Sequence, residues 1–159
     1  MALKIFKSQN QSIFSESKFF NELIDTFSKS SVNMAICTDL NVNGKQLDAV
    51  ILSERGVFIL EYKNYSGTLM ASENGKWEID SLDSNKVIEV NKDRESVFQQ
   101  VKNQRFSLMN FINNNFNQIF PNKNESSVRV DHVANWVIFE DISSESTVKL
   151  NQQTKLWLK

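Results

Sequence analysis

The chain has 159 residues, 40% of them hydrophobic and 23% charged, with a formal net charge of −1. That length suits one domain with a sizeable core, and the near-neutral charge gives no global attraction for nucleic acid. A single cysteine, Cys37, excludes an internal disulfide, and no apolar run reaches the ~18 residues of a membrane span, so a cytoplasmic protein without membrane contact is expected.

Residues 1–14 lack the continuous apolar segment of a signal peptide and read as an N-terminal extension. Residues 15–29 predict the first helix, with Ser15 as its N-cap and Phe20, Leu23 and Phe27 as its apolar stripe, broadened by Phe19 and Ile24. Glu16 stands one turn before Phe20, on the buried side. It is either a first-turn carboxylate favoured by the helix dipole or an acid aimed over the sheet. Residues 32–40 read as a first strand, closed by the turn signal Asn43-Gly44.

The stretch QLDAVILSERGVFILEYK, residues 46–63, then reads as two strands with Glu54 and Arg55 at the turn tip. Alternation places Val57, Ile59, Glu61 and Lys63 on one face and Phe58, Leu60 and Tyr62 on the other, as in a strand covered on both sides. With Ser53 opposite Gly56, Leu52 pairs with Val57 and Val50 with Ile59, so Asp48 falls opposite Glu61. Two facing carboxylates repel in a purely structural sheet, whereas a divalent cation between them reverses the sign. Lys63 lies one pleat further on. The competing reading is an Asp ending its strand in solvent and an exposed Glu61–Lys63 pair on a sheet edge.

After Lys63, residues 64–67 predict a turn into Thr68–Ser72, and Asn74-Gly75 a hairpin returning through Lys76–Ile79. Trp77 reads as core, and residues 86–90 as one more short strand. A long helix is predicted over residues 93–114, its stripe set by Val97, Val101, Leu108 and Ile112, with Phe98, Met109 and Phe111 beside it. Gln100 and Gln104 flank Val101, so one amide is placed to face the sheet end. Lys102 and Arg105, with Lys92 and Arg94, make a mildly basic surface: a solvated helix face, or a contact for phosphate. Residues 113–127, with the only proline, Pro121, read as a loop. Residues 128–139 read as a strand containing His132, taken as structural because no second histidine completes a zinc site. From Glu140 the chain gives no clear start or stop, and reads as the beginning of a further region or a helix docking elsewhere. The order of elements predicts an α/β sandwich around a mixed sheet.

A helix with an early Glu, then LDAVIL and GVFILEYKNYSGTL, then a helix carrying FQQVKNQ, together resemble the NERD (nuclease-related) domain family. The resemblance runs from about Ser15 through Phe139. It is specific over Asp48–Gly67, where family members show an Asp, apolar residues, then Gly-Val-Phe, two aliphatics and Glu-x-Lys-Asn-x-x-Gly. It implies a restriction-endonuclease-like αβββαβ core, as in the PD-(D/E)XK nucleases, with a mixed central sheet flanked by helices. It also implies a nuclease-like domain over residues 15–140 and a tail over 141–159.

Residue by residue, the resemblance makes Asp48 and Glu61 the metal-binding acids, joined by the backbone carbonyl of Tyr62. Lys63 is the motif lysine, Glu16 the acid of the first helix, and Gln100 a helix glutamine usually preceded by Asn-Pro; here Ser96-Val97 occupy those positions. The implied activity is hydrolysis of phosphodiesters in nucleic acid, DNA in preference to RNA, with Mg²⁺ or Mn²⁺. The resemblance implies that Lys63 orients or helps deprotonate the attacking water and offsets transition-state charge. The electrostatic and positional role is preferred, since two neighbouring carboxylates oppose its deprotonation unless a metal neutralises them. Lys102 and Arg105 are the candidate nucleic-acid contacts, and the neutral net charge points to help from a homo-oligomer, a further domain or a partner subunit. The alternative is a nuclease-like module that binds nucleic acid or recruits a partner without cutting.

Overall fold

The computed structural model describes residues 3–7, 14–53, 56–82, 84, 86–92, 95–122, 132–149 and 154–157, with residues 14–16 and 154–157 described through their backbone. Its strands are β1 (Leu3–Lys7), β2 (Met34–Val42), β3 (Lys45–Ser53), β4 (Gly56–Ser72), β5 (Glu78–Ser81), β6 (Val87–Glu89), β7 (Val133–Ile142), β8 (Thr147–Lys149) and β9 (Thr154–Trp157). Its helices are α1 (Phe14–Ser28), α2 (Val97–Asn114) and α3 (Phe116–Ile119). In chain order α1, β2, β3, β4, α2 and β7 give the expected αβββαβ core.

All nine described strands join one mixed sheet. The expected hairpin register is present, from Ser53↔Gly56 through Val50↔Ile59 to Ala49↔Leu60. The tip residues Glu54 and Arg55 lie outside the described residues. α1 covers one face with Phe19 and Phe20, packed on Met34, Ile36, Ala49, Ile51, Leu60 and Tyr62. α2 covers the other with Val97, Val101, Gln104, Leu108 and Ile112. The sheet side chains beneath α2 include Val50, Ile59 and Val133 in one cluster and Leu69, Val137 and Phe139 in another. Trp77 is core, as expected: it is 1% exposed, and its indole N–H donates to the Ser72 carbonyl at 2.8 Å.

β4 departs from the expected pattern. No turn forms at residues 64–67; the strand runs unbroken from Gly56 to Ser72. β7 lies parallel to it from Val57↔Val133 to Gly67↔Ile142, with a bulge between Lys63 and Ser66. An extra residue in β4 absorbs what its composition suggested as a reversal. Gly67 adopts φ +140°, and a Cβ there would collide with the Asp80 carbonyl of β5. The glycine is therefore required by a close strand approach, not by a turn.

Three other boundaries shift. α2 starts at Val97, because Ser96 stops the helix there as its N-cap, its hydroxyl accepting from the Gln99 N–H at 3.2 Å. The expected loop after Asn113 begins with α3, which buries Phe116. The tail carries no helix among its described residues: β8 pairs with β4, and β9 pairs with β7, both in parallel. Those strands form because neighbouring edges accept them, which a three- or four-residue segment does not reveal by its own pattern. At the other end, β1 pairs in parallel with β2, so the N-terminal stretch also adds to the sheet.

Candidate active site in an opening of the central strand

One edge of β4 carries β7 throughout its first half. The other edge carries β3 up to Leu60 and β5 from Gly67 onward. Among the described residues no strand pairs with 61–66 on that edge. Glu61, Tyr62 and Lys63 line this opening.

The opening starts where β2 and β3 lose a level. Their pairing runs Thr38↔Ala49, then Leu40↔Leu47, skipping Asp39 and Asp48. Asp39 has a left-handed φ of 56°, and its carboxylate accepts from Gln46 Nε2 at 2.9 Å. With the ladder interrupted, Asp48 Oδ2 accepts the Tyr62 backbone N–H at 2.8 Å. The expected Asp48–Glu61 level is thus where side chain replaces strand as the partner of the β4 backbone.

Glu61 is 3% exposed. Its Oε1 accepts from Lys63 Nζ at 2.8 Å and Gln100 Nε2 at 2.6 Å, and its Oε2 from Gln104 Nε2 at 2.6 Å. Lys63 Nζ also donates to Asn91 Oδ1 at 2.9 Å and Gln100 Oε1 at 3.1 Å. An ammonium has three N–H groups, and all three are used. The Glu61–Lys63 ion pair has side chains only 4% and 11% exposed. Charges so buried need this many hydrogen bonds to offset lost hydration. The edge-strand alternative for this pair is therefore wrong: the carboxylate is covered by α2.

α2 supplies both amides. Gln104 sits in the buried stripe between Val101 and Leu108, and its Nε2 also donates to the Gln46 carbonyl at 2.9 Å. Gln100, one turn earlier, reaches Glu61 and Lys63. The Ser96-Val97 departure from Asn-Pro does not disturb this start. Ser is an equivalent N-cap, and the first helical position needs no N–H donor of its own.

Asn91 was not selected from sequence. It follows β6, has φ 62°, and joins Lys63 to Gln100 through its side chain. The only sequence signal was an Asn after a short strand, where left-handed backbone is common. Gln104 was visible only as a polar residue within an apolar stripe.

Other expected residues stand apart. Glu16 lies in the first turn of α1, but its side chain falls outside the described residues, as do those of Ser15 and Arg94. Lys102 is exposed and Arg105 half-buried. At 100° per residue they sit about 160° and about 100° around α2 from Gln104, away from the opening. Other basic side chains line two clefts that share Asn91. One, of about 470 Å³, includes Lys45, Gln100 and Gln104; the other, of about 810 Å³, includes Tyr65, Lys86 and Lys92. His132 is exposed at the foot of β7 and takes no place in the site.

On the α1 side, the Tyr62 hydroxyl donates to Glu140, which also pairs with Lys18 at 2.9 Å. Glu140 raises the Lys18 pKa, first by that hydrogen bond. Burial pushes the pKa of the Cys37 thiol up.

Among the described residues no group of three or more His, Cys, Asp or Glu is arranged to hold a metal. The donors at the opening are Asp48, Glu61 and the Tyr62 carbonyl, all oxygen, which suits a hard divalent cation. Gln104 Oε1 is buried here and accepts no hydrogen bond, leaving a further oxygen beside Glu61. The residues fit such an ion by chemistry: Glu61 accepts three hydrogen bonds, only one of them on Oε2, and a carboxylate has about four lone-pair sites.

An αβββαβ core with a buried Glu-x-Lys at an opening of its central strand defines a restriction-endonuclease-like α/β protein. The profile of the nuclease-related domain family, NERD, matches residues 12–141, and the chain belongs to that family. No curated protein and no solved structure matches it. Among the described residues no helix is long and apolar enough to cross a membrane.

Proposed function

We propose that this protein is a divalent-metal-dependent nuclease that hydrolyses phosphodiester bonds in nucleic acid, DNA in preference to RNA. The observation that carries this reading is the buried Glu61–Lys63 pair, held by Gln100 and Gln104 beside Asp48 where β4 is open. Replacing a buried ion pair by well-packed apolar side chains is often neutral or stabilising, so packing alone does not account for such a pair at an opening.

Asp48, Glu61 and the Tyr62 carbonyl would hold Mg²⁺ or Mn²⁺, which when bound supplies Lewis-acid polarisation of the phosphate and a more acidic water. Lys63 holds positive charge where the phosphorane develops negative charge. To reach a phosphate oxygen it releases one of its three present acceptors. Gln100 and Gln104 keep the Glu61 carboxylate oriented meanwhile. The first-helix acid Glu16 is a further candidate for the same site.

The binding-only module remains the second reading, favoured by the fact that every Lys63 donor is already satisfied within the protein. Cleavage of labelled linear, circular and single-stranded DNA and of RNA, with Mg²⁺, Mn²⁺ or EDTA, separates the two. The expected result is metal-dependent cutting that falls at least about 100-fold in Asp48→Asn and Lys63→Gln proteins with unchanged circular dichroism. Retained nucleic-acid binding with no cutting in any metal would establish the module instead.

A further inference from the structure

We propose that Asn91 is a positioning residue of this site, holding the Lys63 ammonium and bracing the Gln100 amide by its oxygen. The proposal deepens the nuclease reading, and its kinetic arm rests on that reading.

Asn91 is fixed from both sides. The preceding Val90 is 3% exposed in the core, and its N–H donates to the Trp77 carbonyl at 2.8 Å. Five residues later Ser96 caps α2. Between these anchors Asn91 takes φ 62°, a conformation that Asn tolerates better than other non-glycine residues. Its side-chain amide then has two separate uses. Oδ1 accepts from Lys63 at 2.9 Å, while Nδ2 donates to Gln100 Oε1 at 2.7 Å and to the Glu95 carbonyl at 3.3 Å.

The second contact has a chemical consequence for Glu61. A glutamine amide has a donor end and an acceptor end, and a carboxylate accepts only. Asn91 Nδ2 and Lys63 Nζ together hold Gln100 by its oxygen, Asn91 at the shorter distance, so the Gln100 nitrogen is the end that meets Glu61 at 2.6 Å. Reversing that amide would put oxygen against the carboxylate and N–H against the ammonium. Asn91 also lines two clefts, beside Gln100 and Gln104 in one and beside Lys86 and Lys92 in the other.

Two substitutions in the full chain separate these contacts from the backbone conformation. Asn91→Gly keeps the left-handed backbone without strain and removes the amide. Asn91→Asp keeps an acceptor for Lys63 and loses the donor to Gln100. The first readout, independent of activity, is acetylation of Lys63 by acetic anhydride followed by peptide mass spectrometry, with Lys29 and Lys102, away from Asn91, as exposed references. Asn91→Gly is expected to speed Lys63 modification by about fivefold, the equivalent of one net hydrogen bond, with the references unchanged. Asn91→Asp is expected to leave Lys63 protected.

The second readout is steady-state cleavage. Both variants are expected to lose about tenfold or more in kcat with little change in KM, since Asn91 acts through Lys63 and Gln100. Unchanged Lys63 reactivity in Asn91→Gly would overturn the lysine assignment. Wild-type kcat in Asn91→Asp would overturn the Gln100 assignment. Loss of Lys63 protection in Asn91→Gly, in a protein whose wild type cuts nothing, would sustain the lysine contact and defeat the nuclease reading alone.

Discussion

Glu61 and Tyr62 are consecutive in β4, yet the two faces of the sheet meet opposite packing demands there. Toward α2, Glu61 and Lys63 are enclosed by Gln100, Gln104 and Asn91, with both carboxylate oxygens and all three ammonium protons engaged. Toward α1, Tyr62 stacks on Phe19 with ring centroids 4.6 Å apart, beside a cavity of about 450 Å³ walled mostly by apolar side chains. Apolar contact is non-directional and tolerates a space left beside it. A buried polar network loses heavily when one member is missing, because the remaining charge keeps its desolvation without its partner. Substitutions on the two faces should therefore differ in size, not only in kind.

The largest effect is expected from Lys63→Ala, which leaves Glu61 buried with two amides and no countercharge. Denaturant unfolding should show a loss of about 3–5 kcal/mol. Adding Glu61→Gln should recover part of that loss, since the stranded charge is then gone. A double variant no better than Lys63→Ala would mean that lost packing, not an uncompensated charge, sets the cost.

Gln104→Leu comes next. It deprives Glu61 Oε2 and the Gln46 carbonyl of a donor, while also removing the unsatisfied Gln104 Oε1. The expected loss is about 1–3 kcal/mol, read from the same unfolding curves. A neutral outcome would show that water replaces the amide and that the α2 face is less tightly closed than its burial indicates.

Tyr62→Phe should have the smallest effect, about 1 kcal/mol, because it removes one hydroxyl from Glu140 and keeps the stacking on Phe19. Lys18 remains as a partner for Glu140. A loss equal to that of Lys63→Ala would erase the contrast between the faces.

Much of this site was legible in the chain. The two-residue alternation through Gly56–Lys63 put Glu61 and Lys63 on one face and Tyr62 on the other, and the short tip set the register down to Ala49↔Leu60. The helical spacing of Val97, Val101, Leu108 and Ile112 placed a glutamine against the sheet, though the structure brings two. Those features follow from repeat geometry, which is written locally in the order of residues.

Other features depended on what lay alongside. Asn64–Gly67 has the composition of a turn, but β7 and β5 hold it extended, and Gly67 answers to the Asp80 carbonyl. The loss of the Asp39–Asp48 level arises from a left-handed residue on a neighbouring strand. Asn91 reaches Lys63 across 28 residues and Gln104 reaches Glu61 across 43. Sequence by itself determined the strand–helix alternation, the pairing of the central hairpin and the acid-and-lysine motif, because backbone periodicity and turn length are local properties. Tertiary structure alone decided which amides enclose that motif and where the central strand stands open, because hydrogen-bond partners brought together by packing leave no fixed spacing in the chain.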